Sequence, residues 1–156
     1  MANKGRRMTE ANPSLGITLP DSFTLDDIVS AIEQRRDTTI KILEFPEIKP
    51  EDGLFGIWLN TKFGDYVLHA PAPSELHRQQ IILHELAHMI LGHDLAVGKS
   101  SASELFPDLP ENAVVRTLAR GHDDNQLERD AESLADRLAH SLRRNAQQSS
   151  FTMVFG

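Results

Sequence analysis

The first sustained period in the chain begins at Thr24. Leu25, Ile28, Val29 and Ile32 recur at helical spacing behind Thr24 and Asp27, a pair three apart that fits a helix start, and predict a helix over residues 25–36. Asp26, Glu33, Arg35 and Arg36 form its solvated face. Three short apolar segments follow, at 38–45, 54–60 and 65–70, rich in Ile, Val, Phe, Trp and Tyr, and read as strands. Pro46, Pro50 and Asp52-Gly53 separate the first two. The four residues 61–64 suit a hairpin between the last two, which predicts antiparallel neighbours.

Pro71 and Pro73 end this region, and Ser74 is placed to cap the next helix. On that helix Leu76, Ile82, Leu83, Leu86, Ala87 and Ile90 make one face, while Ile81, His84, His88 and Leu91 make another. A helix apolar nearly all round packs on its main face and lines a cleft with the rest. Gly92 ends it, residues 93–109 read as loop, and Pro110 opens an expected short helix through Val114, Val115 and Leu118 to Gly121. A last helix is expected over 126–144, with Leu127, Ala131, Leu134, Ala135, Leu138 and Leu142 as its buried stripe. The pattern therefore predicts an α+β fold: a small sheet of at least three strands on a central helix, completed by a C-terminal helix pair. Residues 1–20 read as a flexible leader, 21–145 as one domain and 146–156 as a loose tail.

Composition narrows what this fold can do. The 156 residues are 40% hydrophobic and 25% charged, the balance of a globular chain. The absence of cysteine removes disulfides and thiolate metal sites, leaving His, Asp and Glu as the strong ligand types. No run approaches the roughly 20 apolar residues of a membrane span, and no apolar stretch follows Lys4, Arg6 and Arg7 as a secretory signal requires, so the expected location is cytoplasmic. A net charge of −7 argues against general nucleic-acid binding and suits a peptide or protein partner better.

The chemistry centres on His84-Glu85-Leu86-Ala87-His88, an HExxH pattern. Residues four apart share one helix face, so both imidazoles can bind one metal ion while Glu85 stands beside it. Burying them in an apolar run without a partner would be costly. Two imidazoles and a carboxylate leave zinc an open position for water, and Glu85 can move that water's proton to a departing amine. The third ligand is open on spacing alone. Glu128, Asp130 and Glu132 open the last helix, Asn125 with Glu128 also fits a capping box, and His93 stands five residues after His88, off the metzincin spacing of six. His122, Asp123 and Asp124 read as a turn and helix start.

His84 to His93, followed some forty residues later by Glu128-Arg129-Asp130-Ala131-Glu132-Ser133-Leu134-Ala135, resembles the ImmA/IrrE family of zinc metallopeptidases, a compact gluzincin-like group. Asp130 stands where that family's last helix carries a second Glu, and Leu138 is followed by Ala139, His140 and Ser141 rather than by Met-Pro. The resemblance implies zinc at His84, His88 and Glu128, with Glu85 as the catalytic carboxylate. It also implies a protein substrate, typically a helix-turn-helix repressor of a mobile element or stress regulon. If 65–70 is an edge strand, an extended substrate could pair with it, and Tyr66 or His69 could steady the oxyanion. The competing reading is a non-proteolytic regulatory module of a toxin–antitoxin or phage-immunity system that retains the zinc site.

Overall fold

A computed structural model of the chain describes residues 8–9, 15–49, 55–93, 100–101, 114–115 and 125–155. Strands β1 (Met8–Thr9) and β2 (Leu19–Pro20) form a small antiparallel pair. Helix α1 (Leu25–Arg36) starts as its sequence predicts: Asp27 N donates to Thr24 Oγ1 at 3.2 Å, and Thr24 N donates to Asp27 Oδ2 at 2.9 Å. Strands β3 (Ile40–Glu44), β4 (Gly56–Thr61) and β5 (Gly64–His69) form the body of a mixed sheet. Two-residue strands β6 (Ser100–Ser101) and β7 (Val114–Val115) extend it in the order β3-β5-β4-β7-β6. Helices α2 (Glu75–Ile90) and α3 (Asn125–Phe155) pack along each other, and α2 also lies on β4 and β5. Ser74 caps α2, its Oγ accepting from His77 N at 3.1 Å.

The alternation along the hairpin decides which residues meet α2. Gly56, Trp58 and Asn60 on β4 share a face with Asp65, Val67 and His69 on β5, since each pairs across in that register. Trp58 and Val67 join the main core with Ile28 and Ile32 of α1, Ile82, Leu83, Leu86 and Met89 of α2, and Ala131, Leu134 and Leu138 of α3. The opposite face, with Ile57, Leu59 and Leu68, is covered by Ile48. At about 1.5–3 kcal/mol for each large apolar side chain buried, the face toward α2 carries most of the stabilisation.

Four expectations change. Strand β5 is central, flanked by parallel β3 and antiparallel β4, so 65–70 is not an edge to which a substrate could add. Parallel pairing joins residues some 25 positions apart and leaves no local sign in the chain. Val114 and Val115, expected in a short helix, pair with Asn60 and Leu59 instead, and the rest of that segment lies outside the described residues. The last helix does not stop at Arg144 before a loose tail but continues to Phe155. No Gly or Pro interrupts it before Gly156, and the buried Asn145 Nδ2 donates to Phe23 O at 3.1 Å, holding the later turns to the segment before α1. Finally, residues 15–20 of the expected leader belong to the body: Ile17 and Leu19 are buried in the core.

The end of α1 grips the end of α2. Arg35 Nη1 donates to Ile90 O at 2.9 Å and to Leu15 O at 2.8 Å, and Arg36 Nη1 donates to Met89 O at 3.2 Å. Carbonyls in the last turn of a helix lack partners within it, and cations there complement its dipole. Among the described residues no helix is long and apolar enough to cross a membrane.

Candidate metal centre

His84 and His88 lie one turn apart on α2, with ring centroids 4.8 Å apart and planes at 85°. Their Nε2 atoms approach to 3.1 Å, so both rings present the same nitrogen to one point. Glu128 reaches that point from the first turn of α3, with Oε2 at 3.0 Å from His84 Nε2 and Oε1 at 3.4 Å from His88 Nε2. Tetrahedral ligands about 2 Å from a zinc ion would stand roughly 3.3 Å from each other. The three observed separations straddle that value, and the two-imidazole, one-carboxylate donor set suits such an ion. His84, His88 and Glu128 therefore form a group that could hold a metal ion.

The electrostatics agree with that role. Burial raises the Glu128 carboxyl, but hydrogen bonds from His84 and His88 and their charge outweigh it and hold the group well below the usual carboxylate range. Glu128 is thus ionised at neutral pH. Its two oxygens are engaged with histidines from the other helix, so the structure favours the ligand geometry over the capping box. Asp130 and Glu132 are exposed, and Asp130 Oδ1 accepts from Gln126 Nε2 at 2.7 Å within its own helix.

Glu85 is 5% exposed and lies against β4. A Cβ at Gly56 would come within 2.9 Å of Glu85 Oε1, 3.0 Å of its Cγ and 3.0 Å of Ile81 Cγ2. Glycine at this position is what gives the Glu85 carboxylate its place, a contact the sequence announces only through an isolated glycine at the head of a strand. Register also fixes how the buried backbone of β4 is turned there. Ala70 N donates to Phe55 O, so with alternating pairs Ile57 and Leu59 bond to β5, while the backbone groups of the buried Gly56 and Trp58 point away from it. Strand β7 pairs with Leu59 and Asn60, and among the described residues no strand pairs with β4 beyond them.

His93 is not one of the three donors. It is 7% exposed, and its Nδ1 lies 2.7 Å from His88 Nδ1, on the side of that ring away from the metal group. Of the candidates on β5, Tyr66 packs with Ile57 and Leu68 on the face turned from α2, so it does not face the group; His69 is on the near face, buried, with Nδ1 3.0 Å from Ala70 O. His122, Asp123 and Asp124 lie outside the described residues. An open hollow of about 490 Å³ at the β4–β5 hairpin, lined by Arg36, Asn60, Lys62 and Phe63 among others, includes none of the three donors. Comparison with known proteins finds no matching family model, no matching curated protein and no matching solved structure.

Proposed function

We propose that the chain is a zinc-dependent endopeptidase of the compact gluzincin-like kind that the ImmA/IrrE resemblance implies, acting on a specific regulatory protein such as a helix-turn-helix repressor. The observation that carries this reading is the convergence of His84, His88 and Glu128 from two helices, with Glu85 next to the first ligand and seated on Gly56. A zinc ion held there would supply a Lewis acid that polarises a peptide carbonyl and activates water. The rest falls to the chain's own groups. Glu85 would accept the attacking water's proton and deliver it to the departing amine nitrogen, as a carboxylate within reach of both can.

The test joins metal content to cleavage. The wild-type chain and Glu85→Gln should each carry about one zinc. New protein N-termini should arise in a host-cell extract treated with the wild type and not in one treated with Glu85→Gln. Equal cleavage by the two forms would refute the role of Glu85. A zinc-loaded chain that generates no new N-termini would favour the non-proteolytic module.

A further inference from the structure

His93 has a place in the fold that its position after the helix does not announce. Helix α2 closes with Leu91 N donating to Ala87 O at 3.0 Å and Gly92 N donating to Met89 O at 3.2 Å. Gly92 then adopts φ +70, a left-handed conformation that costs an L side chain about 1–2 kcal/mol and that glycine takes freely. This reversal turns the chain back along the helix it has just left. His93 comes to rest with its ring 5.0 Å from that of His88, at 60°, and both side chains are almost fully buried.

The contact has chemical consequences because an imidazole has two unlike nitrogens. His88 turns Nε2 toward His84 and Glu128, and a nitrogen can give a lone pair to a cation only if it carries no proton. The proton of the neutral ring must then sit on Nδ1, and the atom facing Nδ1 at 2.7 Å is His93 Nδ1. We infer that His93 is a positioning residue for the metal centre: its Nδ1 accepts a hydrogen bond from His88 Nδ1–H, which fixes both the tautomer and the rotation of the ligand ring. Gly92 and His93 act as one device, the first turning the chain and the second receiving the proton. The inference rests on the metal reading of the site and needs no assumption about peptide hydrolysis.

The test reads zinc affinity, by competition with a chromophoric chelator, beside the ¹⁵N signals of the imidazoles. In the zinc-loaded wild type the His88 ring should carry its proton on Nδ1, with that proton hydrogen-bonded to His93. His93→Leu should weaken zinc binding about ten- to a hundredfold, the range for loss of a group that orients a ligand. His93→Asn, whose amide oxygen can take the place of Nδ1, should restore most of that loss. Metal-free unfolding midpoints should not follow the same order, as they would if His93 served packing alone. Unchanged zinc affinity in both variants, a His88 ring that in the zinc-loaded chain is protonated on Nε2, or a zinc-induced shift of a His93 nitrogen marking it as a ligand would each overturn the inference. Should His93→Leu not fold, the wild-type tautomer and the Asn variant still decide it. A wild-type chain that takes up no zinc overturns this inference and the metal reading together, whereas zinc uptake indifferent to His93 overturns this inference alone.

Discussion

The sheet face that meets α2 carries a carboxylate problem at each end, and the two ends solve it differently. At the hairpin end Asp65, 2% exposed, accepts at Oδ1 from Trp58 Nε1 at 3.2 Å and from Asn60 Nδ2 at 2.7 Å. Both donors are neutral and lie within seven residues of it in the same hairpin. At the opposite end Gly56 makes room for Glu85, and beyond it Glu128 meets His84 from 44 residues away. Asp65 is satisfied by its own local chain and asks for nothing else. Glu128 is satisfied by imidazoles, groups that can also bind a metal ion, so its surroundings suit a cation as well as they suit one another. A carboxylate drawn into the structure points to function when its partners are of this second kind.

Breaking the Glu128 end should give the largest effect. If the roughly 10–16 kcal/mol of a four-ligand structural zinc site is shared among its ligands, one carboxylate is worth about 3–4 kcal/mol. Glu128→Ala should then weaken zinc binding about a hundred- to a thousandfold, and at neutral pH it should also lower metal-free stability, because His84 and His88 hold the ionised carboxylate. Asp65→Ala should touch stability alone. It orphans the buried indole N–H and the Asn60 amide, costing about 2–3 kcal/mol in urea unfolding, with zinc affinity unchanged; Asp65→Asn, which keeps an acceptor, should lose about 1 kcal/mol. Gly56→Ala sharpens the contrast along a single strand. Zinc should stay bound, but a displaced Glu85 should slow cleavage about ten- to a hundredfold, since misplacing a reacting group by an ångström costs that order. The smallest effect belongs to a contact away from both ends: Asn145→Ala should cost about 1 kcal/mol of stability through the lost bond to Phe23 O and leave zinc affinity alone.

How much of this was legible in the chain depended on how far apart the partners lie. Thr24 with Asp27, Ser74, and the spacing of His84 and His88 are relations within one turn, and the structure has them as read. The β4–β5 hairpin, joined by a tight loop, was equally legible. Glu128 could be placed on the last helix, but spacing could not choose it over Asp130 or Glu132, because the choice is made by side chains on another helix. The same distance hid the central place of β5, the pairing of Val114 and Val115 with β4, and the contact of Gly56 with Glu85. His93 is the instructive exception. It stands five residues from its partner, yet the contact stayed hidden because it depends on one left-handed glycine, and a Gly-His pair carries no sign of which way the chain will turn.

The grip of Arg35 and Arg36 on Met89 and Ile90 ties α1 to the helix that carries His84 and His88. Local opening of α1 would strip donors from the carbonyls just beyond His88, so a cation that resists movement of His88 resists that opening too. Zinc should therefore slow hydrogen exchange at the amides of Ile28 and Ile32, residues of α1 that are not among its ligands. The first helix of the domain would then report on the occupancy of a site built on the other two.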